Sequence, residues 1–260
     1  MLKEELHSVI GSIASAYFLL LSVSVLTFTF AVNAFALSNA TLNGEYYGVS
    51  SDSDDWTGFG CVTFDGNGSF TRQLIQASDG ELDSGQYCYS VSPGAFTIYS
   101  NTFTMDDHAG VVSPDGNLVF LVDLDGTVGM DILVKKSSGL SNATLNGQYY
   151  DVNFSADNWT GFASGAFDGN GSSSFQQIQT SDGVLESGQD FYSVSSDGAF
   201  TVFDNRGVVS PDGNFVFMVD LAGTVGMDIL AKKSLADDAP GDFNEAQYLL
   251  NNPDVAQAVD

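Results

Sequence analysis

The stretch Ser113 to Ser137, SPDGNLVFLVDLDGTVGMDILVKKS, returns as Ser210 to Ser234, SPDGNFVFMVDLAGTVGMDILAKKS, with 21 of 25 positions unchanged. A repeat this close means two homologous modules, and it gives each candidate residue a test. Chemistry that both modules share must keep its residues in both copies; what only one keeps is decoration on a common scaffold. The copies begin alike, with LSNATLNG and a Tyr pair (Tyr46-Tyr47, Tyr149-Tyr150), and continue through D-x-W-T-G-F, FDGNGS, SDG-x-L-x-SGQ, SVS and GAFT. The resulting division is 1–36, an N-terminal export segment; 37–138, module 1; 139–234, module 2; and 235–260, a linker and tail. Module 1 carries an extra segment, Ser100 to Ala109, where module 2 has only Asp204-Asn205-Arg206.

Asx-Gly and Pro-Gly steps recur every 10 to 22 residues, at Asn43-Gly44, Asp65-Gly66, Asp79-Gly80, Pro93-Gly94, Asp115-Gly116 and Asp125-Gly126. Between them lie short runs rich in Phe, Tyr, Val and Thr, several alternating in character, which is the hairpin signature. About eight strands per module, all with short connections, predict an all-β chain of two tandem up-and-down antiparallel β-barrels. Closure is the economical way to leave no open sheet edge. One strand breaks the alternation: Leu118, Phe120, Val122 and Leu124 share one face, yet Val119 and Leu121 occupy the other, and module 2 keeps the pattern. A strand apolar on both faces needs cover on both, so barrel exteriors are expected to pack there, against each other or in an oligomer.

The opening L-N-G-x-Y-Y and the evenly spaced meander resemble small bacterial calycin-like barrels of lipocalin and avidin architecture, with Tyr where the lipocalin opening has Trp. That resemblance implies a barrel interior able to hold a small apolar ligand.

The 20 Phe and 10 Tyr supply cores for both modules, while seven Lys+Arg against 33 Asp+Glu give a formal charge of -26. Such a surface repels a phosphate backbone, so nucleic acid is not an expected partner, and anionic membranes are disfavoured. Ile10 to Phe30 is almost uninterrupted apolar and small residues, followed by Ala34-Phe35-Ala36. This reads as a secretory signal helix cleaved before Leu37, with an uncleaved anchor as the rival. Export to the extracellular space, cell surface or periplasm is the expectation, with no membrane association after cleavage. It makes Cys61–Cys88 a disulfide candidate, although module 2 has Ser164 and Phe191 at these places. At the other end, FNEAQYLLNNPDVAQAVD is the one helix-like stretch of the mature chain, and a short C-terminal helix is expected there. Its Asn252-Pro253-Asp254-Val255 resembles a module of exported bacterial proteins, truncated here.

Most apparent chemistry fails the two-copy test. Asp123-x-Asp125-Gly126-Thr127 resembles the nucleophile motif of haloacid dehalogenase-type phosphatases, but module 2 replaces Asp125 with Ala222 and the surroundings are hairpins. After signal removal only His108 remains, inside the extra segment, too little for a zinc site or a Ser-His-Asp set. Turn carboxylates (Asp65, Asp79, Asp115 and their copies) are read as capping their own backbone, and Asp123 and Asp220 as mouth positions. Calcium is the one cofactor worth keeping, as weak surface binding by Asp52, Asp54 and Asp55; no EF-hand loop is completed. Tyr47, Trp56, Tyr150 and Trp159, aromatic in both modules, are core residues or a stacking platform for a ligand. Function is then expected to be non-catalytic: an exported structural, adhesive or assembly component that associates with itself or with other exported proteins. A carrier of a small apolar ligand is the alternative, and a secreted hydrolase ranks last.

Overall fold

The Asp-Gly steps at Asp65, Asp79 and Asp115 fold as turns closed by their own side chains. Asn43-Gly44 instead opens a strand, and Pro93-Gly94 and Asp125-Gly126 lie outside the described residues. In the computed structural model, which describes residues 37–53, 56–92, 95–99, 108–123, 129–155, 159–222 and 226–233, Asp65 Oδ1 accepts the Asn67 and Ser69 amides at 2.7 and 2.9 Å. Asp168 accepts those of Asn170 and Ser172 at the same two distances, 2.7 and 2.9 Å. Those amides, Asn67 first, hold the Asp65 carboxyl below the usual carboxylate range. Gly66 and Gly169 follow at φ 74°, where any other side chain would be strained. Asp115 and Asp212 build a second matched pair, each accepting a hydroxyl, from Ser113 and Ser210, at 2.6 Å.

Between the turns run the strands. In the first half these are β1 (Asn43–Asp52), β2 (Trp56–Asp65), β3 (Ser69–Ala77), β4 (Ser84–Ser92), β5 (Ala95–Tyr99), β6 (His108–Val112), β7 (Leu118–Asp123) and β8 (Gly129–Lys135). The second half repeats them as β9 (Asn146–Ser155), β10 (Thr160–Asp168), β11 (Ser172–Thr180), β12 (Ser187–Val194), β13 (Ala199–Val202), β14 (Asn205–Val209), β15 (Phe215–Val219) and β16 (Gly226–Lys232). Each strand pairs antiparallel with the next, and each half closes on itself. β8 returns to β1 from Tyr46↔Lys135 to Asp52↔Gly129, and β16 to β9 from Tyr149↔Lys232 to Ser155↔Gly226. Closure consumes the sheet edges. The segments expected to be a signal helix and a C-terminal helix lie outside the described residues. Among those described, no helix is long and apolar enough to cross a membrane, which says nothing of strands.

One end of each barrel is packed shut. In barrel 1 the inward residues Tyr46, Phe64, Phe70, Tyr89, Val119 and Leu133 form a core beneath a 3₁₀ turn, Asn39–Thr41. Tyr89 donates its hydroxyl to the carbonyls of Asn39 and Leu42 at 2.9 and 3.0 Å, pinning that turn across the opening. Tyr46 donates to the Gly116 carbonyl at 2.6 Å. Barrel 2 repeats all three bonds through Tyr192 and Tyr149, at 3.1, 3.0 and 2.7 Å. A buried hydroxyl needs an acceptor, and these tyrosines carry theirs to the plug.

The two-faced strand finds much of its cover within the chain, at Phe120 and Phe217, while Val122 and Phe215 on the same outer face stay exposed. Val119 and Leu121 point into barrel 1, and Val216 and Met218 into barrel 2. The outward residues Phe120 and Phe217 meet edge to face, ring centroids 5.7 Å apart. Around them, Tyr47, Phe59, Ile132 and Val134 of barrel 1 and Val208, Val219 and Met227 of barrel 2 form one core between the barrels. Tyr47 donates to Asp197 Oδ2 at 2.6 Å, the Thr57 hydroxyl donates to the Asp220 carbonyl, and the linker amide of Leu140 reaches Ser196 O at 3.2 Å.

No disulfide joins Cys61 to Cys88, contrary to the expectation from export. Cys61 pairs across to β3 at Gln73, and Cys88 pairs to β3 at Ser69. A full strand separates the two, and two strand spacings of about 4.8 Å exceed the roughly 7 Å that a bridge tolerates between Cα atoms.

Candidate functional site

Along the inward positions, from the plug toward the open end, side chains shrink and then turn polar. On β1 the order is Tyr46, Gly48, Ser50, Asp52; on β2, Phe64, Val62, Gly60, Gly58; on β8, Leu133, Asp131, Gly129. The result is a cavity of about 510 Å³ at the open end of barrel 1. Ser50, Arg72, His108, Asp123 and Asp131 line it, with Trp56 at the rim and Asp79, Glu81 and Asp83 of the β3–β4 connection over the mouth.

Asp131 is the hub. It is the register partner of Ser50, whose hydroxyl donates to Asp131 Oδ1. The Nε2 of His108 lies 3.5 Å from Asp131 Oδ2 and 4.0 Å from Asp123 Oδ2. His108 Nδ1 is buried without a hydrogen-bond partner. The order of groups is therefore Ser–Asp–His. Nucleophilic activation needs the imidazole between hydroxyl and carboxylate; here the hydroxyl proton is already held by the carboxylate. What the arrangement can do is bind: acceptors from Asp52, Asp123 and Asp131, donors from Arg72 and His108, and one aromatic platform. The Arg72 guanidinium lies 5.9 Å from the centre of the Trp56 ring.

Trp56 keeps its place because Gly58 leaves room for it. A Cβ built on Gly58 would lie 2.6 Å from the indole, and one on Gly161 2.8 Å from Trp159. Gly58→Ala is therefore expected to swing Trp56 out of the mouth, seen as a red-shifted, more quenchable tryptophan emission in a Trp159→Phe background. An unchanged spectrum would count against this packing.

Barrel 2 keeps the walls and changes the contents. Phe175 takes the strand position of Arg72, and Asn205 that of His108. Asp228 matches Asp131, paired with Asn153 instead of Ser50, and Asp151 replaces Gly48. Both basic groups are thus gone, and the carboxyl gained at Asp151 is matched by one lost where Ser155 stands in place of Asp52. Burial, reinforced by the Asp228 charge, pushes Asp151 well above the usual carboxylate range. Burial does the same to Asp228, with the Asp220 charge adding to it. Asp151 Oδ1, Asn153 Oδ1 and Ser155 Oγ are buried without partners.

Of the residues singled out from the sequence, Trp56 and Asp52 line the barrel 1 mouth, and Asp123 is the mouth residue expected. Trp159 sits over Gly161 in barrel 2. Tyr47 and Tyr150 point outward, since their neighbours Tyr46 and Tyr149 fill the cores, so neither reaches a lumen. Asp54 and Asp55 fall outside the described residues. Among the described residues, no three His, Cys, Asp or Glu side chains gather as a metal site would require, so the calcium expectation gains nothing. Sequence reasoning missed Ser50, Arg72 and Asp131, and treated His108 only as decoration. The available signal was a polar residue alternating with Met130, Ile132 and Val134, on a strand whose apolar face proves to be the outer one.

No protein-family model matches the chain, and no curated protein matches it. Among solved structures, a DNA polymerase sliding clamp from Pseudomonas aeruginosa, determined with a ligand, aligns at 10% identity and a TM-score of 0.14. The alignment covers 80% of this chain and 60% of the clamp, and a similarity that slight carries no argument.

Proposed function

We propose that this is a small-molecule-binding protein, with the open end of barrel 1 as the binding site and a small polar ligand bearing a cationic group as its occupant. The single observation that carries the reading is the cavity of about 510 Å³ in which Asp131, Asp123 and Asp52 outnumber Arg72 and His108. Its volume lies within the range of small-ligand sites. Charged walls favour a polar ligand over the apolar one that the calycin resemblance implies. Export, read from residues 1–36, is part of the same proposal: a secreted or cell-surface binding protein without catalysis. The assembly reading is weakened, because most of the outer face of the two-faced strand is covered inside the chain, with Val122 and Phe215 left exposed.

The test is a titration of Trp56 fluorescence, in the Trp159→Phe background, against a panel of small amines, matched carboxylates and alkanes, with native mass spectrometry in parallel. Saturable binding by amines, weakened tenfold or more, about 1.4 kcal/mol, in Asp131→Asn, is the expected outcome. Preference for the alkanes, or no binding at all, would reject the proposal.

A further inference from the structure

The duplicated outer face that buries the barrel–barrel contact exists twice, and only one copy is covered. In barrel 1, Tyr47 and Phe59 stack with centroids 5.3 Å apart and are 8% and 5% exposed, beneath barrel 2. In barrel 2, Tyr150 and Phe162 stack in the same way at 5.7 Å, and both are 37% exposed.

The chain leaves both barrels by the same route. Lys136 bonds its amide to Glu45 O at 2.9 Å and sets its ammonium 4.3 Å from the Tyr47 ring centre. Lys233 bonds to Gln148 O at 2.7 Å and sets its ammonium 5.5 Å from the Tyr150 ring centre. Lys136 leads into module 2, and module 2 covers Tyr47 and Phe59. Lys233 leads into the segment 234–260, which starts at the edge of the uncovered pair. That segment contains Phe243, Tyr248, Leu249, Leu250 and Val255, and no Lys or Arg.

We infer that the outer face of barrel 2 centred on Tyr150 and Phe162 is the docking surface for the chain's own segment 243–255. Its apolar side chains replace, on the second barrel, the cover that the second barrel gives the first. The segment's reach is no obstacle, since about 3.3 Å per extended residue carries Phe243 across a barrel face from Ser234.

Hydrogen exchange on the full chain tests this. Amides within 243–255 are expected to exchange about tenfold or more slowly than in the isolated peptide. The double substitution Tyr150→Ser/Phe162→Ser should release that protection, while Tyr150→Phe/Phe162→Leu, which keeps the face apolar, should retain it. Unchanged protection in β1–β8 guards against reading a misfolded variant as a released tail. Tail amides that exchange at the free-peptide rate in the unmodified chain would overturn the inference. So would a dimer, seen by light scattering, that the same Ser substitutions dissociate, because the occupant would then be a second copy.

Discussion

Asp228→Asn is expected to stabilise the chain at pH 8 and to flatten the pH dependence of its unfolding. In the folded barrel, burial holds Asp228 and Asp151 protonated well above the ordinary carboxylate range; in the unfolded chain both titrate near about pH 4. Above that value the folded state binds more protons than the unfolded one, so stability falls as pH rises. The contribution is fully present below about pH 4 and is lost through the elevated folded-state values toward neutrality and just above. For two such groups the loss is on the order of 2–4 kcal/mol after allowing for relaxation and water penetration. At roughly 2–4 °C per kcal/mol for a chain of this size, that is a shift easily seen by calorimetry between pH 5 and pH 9. Asparagine keeps the shape and has no proton to lose. Superimposable pH profiles for the variant and the unmodified chain would mean that the pair is ionised and compensated in the folded barrel.

Phe217→Ala is expected to have the largest effect of any single truncation at the barrel–barrel contact. The ring is 1% exposed, meets Phe120 of the other barrel edge to face, and stacks on Phe215 at 5.9 Å. Loss of a buried Phe ring costs about 3–5 kcal/mol when the site cannot collapse. Because the ring bridges two closed sheets, the loss should also uncouple them, splitting one thermal transition into two. Phe191→Ala supplies the contrast: that ring is 83% exposed, and its removal should change stability by no more than about 0.5 kcal/mol. One unsplit transition at an unchanged temperature for Phe217→Ala would show that the barrels do not depend on this contact.

The hairpins were legible in the sequence because turn chemistry is local. Asp65, Gly66 and their copies carry their own bonding partners within four residues, and no distant part of the chain is needed to interpret them. The need for cover over Phe120 and Phe217 was legible too, since a run apolar on both faces has only one physical remedy. Which face of β8 points inward was not. Met130, Ile132 and Val134 are more apolar than Gly129, Asp131 and Leu133, and a core-seeking rule turns them inside. They face out instead because the partner barrel supplies as dry a surface as any interior. Alternation reports that a strand has two faces; it does not say which kind of burial each will meet. For the same reason Tyr47 and Tyr150 were candidates for a lumen they never enter, being one residue out of phase with Tyr46 and Tyr149. His108 stayed hidden because its partners Asp131 and Asp123 arrive from β8 and β7, and pairing across a closed sheet leaves no mark in local spacing.

The plugged end has a practical corollary. Tyr46, Phe64, Tyr89 and the turn they hold are repeated almost atom for atom by Tyr149, Phe167, Tyr192 and theirs, so the machinery of folding is concentrated at one pole. The opposite pole is left as a vessel whose fittings are interchangeable. Converting Phe175 to Arg, Asn205 to His, Asn153 to Ser, Asp151 to Gly and Ser155 to Asp would transplant the charged lining of the first vessel into the second without touching a residue that holds either one shut.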